Sequence, residues 1–410
     1  MSISGAIPHA GIENINIPLN GRNLIITGKN GSGKTSFLTT LERNILNKLE
    51  KKDQQLLQSQ NNIESWTNYR NTLAKTSEQY INISTQIENE QKKIQLLSSG
   101  FQLNFNNFDD LQSNYDNFKA IFRSFPAMRI SSINHTTQTT SLIEEKTIAK
   151  QNFKQNLGSK LEQHLINIKT SEAFAKGIEK DEIKGKKFEE WFLFFDTSLK
   201  KLFENNNAKL VFSNEERKFR ITDGKITSSF QDLSSGYKAI FDIYADLLLR
   251  TEFFDITPSE LQGLVLIDEI DAHLHISLQK LILPFFSESF PNIQFIVSTH
   301  SPFVITSTDK NTVVYDISSD EFFENDLSRY SYNSVIKGLF HVDPLSDQLK
   351  TEIQTIATIL KSEPNNYLKL RETLRNIAPY AKQLDVESKS FYFKALNHLL
   401  DNQELGDLDV

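Results

Sequence analysis

Gly28-Lys29-Asn30-Gly31-Ser32-Gly33-Lys34-Thr35 follows directly on the apolar run Leu24-Ile25-Ile26-Thr27. The octapeptide satisfies G-x-x-x-x-G-K-[ST], the Walker A pattern, and the apolar run reads as a buried strand feeding it. Glycines at 28, 31 and 33 permit a turn tight enough for successive N–H groups to converge on one anion. The helix expected behind them adds the positive end of its dipole. The pattern predicts a triphosphate site in which Lys34 reaches the β- and γ-phosphates. Thr35 would offer its hydroxyl to Mg²⁺, a hard cation that takes oxygen ligands, and Asn30, Ser32 and Ser36 count as further nucleotide contacts.

A second element of the same site appears much later, at Leu264-Val265-Leu266-Ile267-Asp268-Glu269, which reads as a Walker B strand. A carboxylate at the end of a buried strand can hold Mg²⁺, the role expected of Asp268. Glu269, one residue further out, is placed to accept a proton from, or to orient, the water that attacks the γ-phosphate.

Two more stretches narrow the type of P-loop protein. Leu233-Ser234-Ser235-Gly236-Tyr237-Lys238 precedes a helical pattern of Ile240, Ile243, Tyr244, Leu247 and Leu248, and resembles the LSGGQ signature of ABC-type ATPases. Phe295-Ile296-Val297-Ser298-Thr299-His300-Ser301-Pro302 is an apolar strand ending in histidine and looks like that family's H-loop. Asp268-Glu269-Ile270-Asp271-Ala272-His273-Leu274-His275 is similar to the D-E-x-x-x-H-L-H stretch of the SMC-like and OLD-like branch. The resemblance implies that His300 bonds the γ-phosphate and attacking water, and that Ser234, Ser235 and Gly236 present hydroxyl and N–H groups to a γ-phosphate. It also implies ATP as the nucleotide. His273 and His275, at i and i+2, cannot share one helix face and are read as dimer-interface residues, not as metal ligands. The family's metal-contacting glutamine is sought after a strand, and Gln138, following the strand-like Met128-Arg129-Ile130, is the candidate. Residues 1–36 contain no Phe, Tyr or Trp, so the aromatic ring that commonly stacks on adenine is missing.

Composition sets the outer limits. The chain has 410 residues, no cysteine and a net charge of -7. No basic-then-apolar leader is visible, so a disulfide-built or exported fold is not indicated and a cytoplasmic location is expected. The longest apolar runs fall far short of the roughly twenty residues that cross a bilayer, so no membrane partner is expected. Lys34 to Ser99 lacks glycine and proline and should be helical. Leu49, Leu56 and Ile63 share one heptad frame, while Leu73, Tyr80, Ile87 and Ile94 share another. That mismatch predicts a helical, coiled-coil hairpin reversing around 61–71. The block from Lys146 to Lys187 holds ten lysines against five carboxylates and is the region to test for nucleic-acid contact. Beyond it, 209–212, 218–222 and 225–230 read as short strands, the last two joined at Asp223-Gly224.

The resemblance implies an α/β fold: an ABC-type P-loop ATPase head with a helical hairpin insertion and a helical C-terminal extension. The expected divisions are 1–42 (head with Walker A), 43–100 (insertion), 101–207 (helical lobe), 208–317 (head with signature, Walker B and H-loop) and 318–410 (extension). The tail from Ser331 onward resembles ATPase subunits of Septu-type and retron-associated anti-phage systems. That likeness implies an ATP-hydrolysing, self-pairing head, or a higher oligomer, which restrains a separately encoded HNH-type nuclease. Retron RNA or DNA, or phage DNA, is a further partner to test. A DNA-repair ATPase of the SMC or RecF kind is the alternative. OLD-like relatives carry a Toprim nuclease after the head; Asp407-Leu408-Asp409 matches its Asp-x-Asp spelling but leaves no room for such a domain.

Overall fold

The structure, a computed structural model, describes residues 1–98, 100–129, 133–136, 138–343 and 345–406. Ile130 of the expected 128–130 strand and the Asp407-Leu408-Asp409 spelling lie outside the described residues. Two compact units result, residues 1–332 and 333–410.

The larger unit is built on a six-stranded sheet among the described residues. Its strands are β3 (Asn23–Thr27), β5 (Ala120–Phe125), β9 (Gln262–Ile267), β10 (Ile293–Ser298), β11 (Thr312–Asp316) and β12 (Glu321–Phe323). They lie in the order β12-β11-β3-β10-β9-β5, all parallel except β12. Leu24, Ile25 and Ile26 are fully buried, the continuous apolar reading that a parallel strand covered on both faces requires. A smaller antiparallel sheet holds β1 (Ser2–Ile7), β2 (Ile12–Pro18) and β4 (Phe101–Asn104) in the order β2-β1-β4. The Walker A helix, α1 (Lys34–Leu49), joins the sheets: its Phe37, Leu41 and Ile45 share one core with Ile3 and Ile17 of the small sheet and with Leu24, Leu266 and Ile296 of the large one.

Residues 101–125, grouped on sequence with a helical lobe, instead supply β4, α4 (Phe108–Asp116) and β5 to the head. The strand expected at 128–130 is a loop at 126–129, and the true strand is Ala120–Phe125. Its pairing with β9 is long-range, from Ala120↔Gln262 to Phe125↔Ile267, and no local pattern announces it.

The insertion is a helical hairpin of α2 (Lys52–Arg70) and α3 (Glu78–Ser98). Ser59 donates to Glu90 and Arg70 lies over the Tyr80 ring, so the helices run antiparallel. The reversal falls at 71–77, beyond the expected 61–71. Hydroxyl groups set it: Thr72 donates to the Tyr69 carbonyl, and Ser77 accepts from the Tyr80 amide at the start of α3.

A helical lobe follows, with α5 (Leu142–Gln151), α6 (Leu161–Phe174), α7 (Glu182–Leu202) and α8 (Ser235–Phe254). A three-stranded antiparallel layer, β6 (Lys209–Ser213), β7 (Lys218–Thr222) and β8 (Thr227–Ser228), leads into α8. Five of the ten lysines in 146–187 pair with carboxylates: Lys146 with Asp255, Lys154 with Glu50, Lys169 with Glu172, Lys176 with Glu172 and Glu189, and Lys184 with Glu179.

The signature helix is tied to the central sheet by buried charge. Asp246 of α8 accepts from Arg123 of β5 at 2.8 Å and from Arg250 at 3.0 Å, and Arg250 also caps the carbonyls of Phe153 and Gln155. Burial alone would raise the Asp246 carboxyl; the Arg250 and Arg123 charges beside it hold it below the ordinary value. Breaking one partner of such a network leaves a buried charge uncompensated, which typically costs about 3–5 kcal/mol. Arg250→Met is therefore expected to lower the midpoint of denaturant unfolding of the head by a corresponding amount, measured by far-ultraviolet circular dichroism.

Chain order continues with α9 (Ile276–Ser289) and the short α10 (Pro302–Ile305). In the second unit, α12 (Asp347–Ser362), α13 (Tyr367–Ile377) and α14 (Val386–Asp401) enclose a core of Ile356, Ile359, Leu370, Leu374, Leu396 and Leu399, with α11 (Tyr332–Gly338) at the unit boundary.

Candidate nucleotide-binding site

The parallel strands β3, β5, β9, β10 and β11 all end on one rim of the sheet, the side on which open α/β sheets bind ligands. The Walker A loop leaves β3 at that rim. Gly33, at φ 94, is the left-handed cap from which α1 starts, a conformation that costs a residue with a Cβ more than it costs glycine. Lys34 is buried, and its ammonium donates to the carbonyls of Gly28 and Lys29 at 3.0 Å each. Burial lowers its basicity, and the carboxylates of Glu269 and Asp268 nearest to it oppose that shift.

Walker A and Walker B do not lie on adjacent strands. β10 runs between β3 and β9, so its last residue, Ser298, stands between the two motifs. The Ser298 hydroxyl donates to Asp268 Oδ1 at 2.5 Å and accepts from the Glu269 amide at 2.7 Å. The other carboxylate oxygen of Asp268, Oδ2, accepts from the Thr35 hydroxyl at 2.8 Å. Thr35 and Asp268, which are 233 residues apart in sequence, thus meet as the metal-site reading expects.

Glu269 has an exposed side chain on a left-handed backbone, φ 46. An extended or helical residue would aim its carboxylate elsewhere, and non-glycine residues in this region are held there by their surroundings. His300 follows β10 after Thr299, whose hydroxyl donates to Asp271. Burial and the Lys34 charge push the His300 imidazole below its ordinary value, so the ring is neutral at pH 7.

Ser234 caps α8 without a side-chain bond to its own helix, and both Ser234 and Ser235 are exposed. Gly236 is buried: a Cβ there would lie 3.0 Å from the His273 carbonyl, so the signature turn rests on the loop after Walker B. His275 caps α9, its Nδ1 accepting from the Ser277 amide, while His273 sits in the preceding loop at φ 65.

Gln138 is not brought to this cluster. Its side chain is exposed, its amide donates to Thr136 and its carbonyl accepts from Gln163, and among the described residues no bond joins it to Thr35 or Asp268. The expectation rests on a strand at 128–130, and residues 126–129 form a loop instead. The residue that does reach the Walker B turn from the end of β5 is Arg129, which donates to the carbonyls of Asp268 and Glu269. Arg129, Ser298 and Ser318 were all missed on sequence. Ser318, just beyond β11, accepts from the Lys29 amide at 2.6 Å, and its hydroxyl lies where a Cβ on Gly28 would fall. Only Ser298 had a local signal, its place directly ahead of Thr299-His300.

Comparison with known proteins agrees with this geometry. The family model described as "AAA domain, putative AbiEii toxin, Type IV TA system" matches residues 24–306, from the Walker A strand to beyond the H-loop. The chain belongs to this AAA-domain family. The chain is 34% identical over 149 residues to "Retron Ec83 probable ATPase" of Escherichia coli, a match covering 35% of this chain and 28% of that protein. It is 42% identical over 79 residues to "Septu protein PtuA" of Bacillus mycoides (strain KBAB4), covering 18% and 10% respectively. These matches therefore span well under a third of the relatives' own lengths. Among solved structures, an Smc head bound to the C-winged helix domain of ScpA aligns over 77% of this chain and 93% of that one, at 14% identity and a TM-score of 0.36.

The AAA domain fits a magnesium-bound triphosphate on its own geometry. The Ser32 hydroxyl, inside the P-loop, is buried without a protein partner, and Lys34 is satisfied only by carbonyls of the loop it would leave. Thr35 and Asp268 would hold the metal, which would supply neutralisation of phosphate charge. The turn Pro8–Ala10 between β1 and β2 packs on the P-loop, with Ala10 Cβ 3.1 Å from the position of a Cβ on Gly33. None of the helices among the described residues is long and apolar enough to cross a membrane.

Proposed function

We propose that the chain is an ABC-type ATPase whose heads pair with two-fold symmetry around ATP, and whose nucleotide state governs a separately encoded nuclease in phage defence. The observation that carries the ATPase reading is the network joining Thr35, Asp268, Ser298 and Glu269 beside Lys34. Lys34 and the P-loop amides bind and orient the phosphates. Glu269 takes a proton from the attacking water, and the neutral His300 ring holds that water and the γ-phosphate oxygen. Pairing is favoured by the signature: Ser234 and Ser235 project hydroxyls that their own helix does not use, the arrangement a partner's γ-phosphate needs. The defence role rests on likeness to a retron ATPase and a Septu protein. Five of the ten lysines in 146–187 are engaged by acidic neighbours, which reduces the positive charge this region offers to DNA.

Sedimentation of the chain with a slowly hydrolysed ATP analogue and Mg²⁺ tests the pairing. Two-chain particles are expected, and Ser235→Arg should return them to single chains while nucleotide still binds. An unchanged sedimentation coefficient in saturating analogue would contradict nucleotide-driven pairing.

The state of His300 gives a pH prediction. Its basicity is depressed in the folded chain, so the neutral form persists below the ordinary histidine value of 6.5, and protonation on further acidification removes the ring's acceptor nitrogen. The acidic limb of steady-state ATP turnover is expected to be centred below pH 6.5. His300→Gln should abolish that acidic limb; a limb centred at or above 6.5 would refute the assignment.

A further inference from the structure

We infer that Arg129 is a positioning residue for Glu269: its guanidinium clasps the two carbonyls of the Walker B turn and sets the direction of the Glu269 carboxylate. The inference rests on the ATPase reading for its kinetic consequences, while its geometry does not.

β5 leaves the sheet beside Walker B, where the Asp268 amide donates to the Phe125 carbonyl at 2.9 Å. Four residues on, Arg129 turns back. Its Nη1 donates to the Asp268 carbonyl at 2.7 Å and its Nη2 to the Glu269 carbonyl at 2.9 Å, so the two arms of one planar fork hold two successive peptide groups. A lysine, as a point donor on a flexible stem, does not reproduce that grip. On the other side of the same residue, the Glu269 amide donates to Ser298. Both peptide groups flanking Glu269 are therefore pinned, which keeps a non-glycine residue at φ 46 and sets the direction of its carboxylate.

The loop that Glu269 opens also meets the signature helix: Gly236 at the start of α8 rests on the His273 carbonyl. Arg123, within β5, holds the same helix separately through Asp246.

Arg129→Met keeps the unbranched stem of the side chain and removes the guanidinium with its donors. The expected result is a fall in kcat of about 10²-fold, the cost of a small misplacement of a catalytic group, with KM for ATP within about threefold. Because Arg129 acts through Glu269, adding Arg129→Met to Glu269→Gln should lower the residual rate by less than about threefold. Arg129→Lys is expected to show the same split between kcat and KM with a loss of about tenfold, and it serves where the Met variant does not fold. Amide hydrogen exchange of the 268–275 segment is a readout that needs no ATPase activity, and either variant should speed it at least tenfold over wild type. Turnover within twofold of wild type, a full multiplicative loss on the Glu269→Gln background, or unchanged exchange at 268–275 would each overturn the inference. Absence of hydrolysis by the wild-type chain would instead fell the ATPase reading, with the exchange data still deciding what Arg129 holds.

Discussion

Lys34→Ala is expected to weaken ATP binding by at least about 10²-fold, measured by titration with a fluorescent analogue. The size follows from the bonds that an ammonium makes to phosphate. A charge-assisted hydrogen bond contributes about 1.5–3 kcal/mol, and an ammonium between β- and γ-phosphates makes more than one. Without nucleotide the same ammonium braces Gly28 and Lys29 from inside the loop, so the alanine chain also loses the local order that presents its amides to phosphate. The surrounding carboxylates, Glu269 and Asp268 foremost, would then face the triphosphate with no cation of the chain between them. Arginine is not a remedy, since the site is sized for a compact ammonium. Undiminished affinity in Lys34→Ala would mean that the loop does not bind phosphate in the manner argued from its shape.

Glu269→Gln should bind ATP as well as wild type yet hydrolyse it about 10²–10⁴-fold more slowly, the range for loss of a general base. The exposed side chain makes no bond that holds the turn together; the turn is held by backbone contacts to Ser298 and Arg129, which glutamine leaves in place. Folding and nucleotide affinity should therefore survive, and paired heads should persist in ATP as they do with the slowly hydrolysed analogue. Rapid-quench measurement of phosphate release beside sedimentation in ATP checks both halves. Equal turnover by wild type and Glu269→Gln would contradict the base assignment.

Lys34 and Glu269 are legible in the sequence for different reasons. Lys34 is announced by its own neighbours, because a phosphate-binding turn has to be spelled locally by glycines and followed by a helix. Glu269 gains meaning only from the apolar strand before it and a Walker A elsewhere in the chain. Ser234 to Gly236 and His300 stand between these cases, recognised by order along the chain. Gln138 shows where order misleads: it follows a strand-like stretch, of which Met128 and Arg129 do not join the sheet. The hairpin reversal was displaced for a related reason, since heptad frames report where apolar stripes change, whereas the turn sits where Thr72 and Ser77 satisfy the backbone.

By itself the sequence determined the P-loop, the buried character of its strand, the Walker B carboxylates, the helical nature of the insertion and the ABC-type plan of the head. These are written in short stretches whose backbone conformation and chemistry depend on near neighbours. Only the tertiary structure decided that β10 lies between the two Walker strands, so that Ser298 bridges Asp268 and Glu269, and that β5 delivers Arg129 to the turn beyond them. Strand order is fixed by which apolar faces bury one another across hundreds of residues, and a hydrogen bond to a backbone carbonyl can be made by any donor that the fold happens to carry there. Neither leaves a mark in local sequence, and here both converge on the residue that would take the proton.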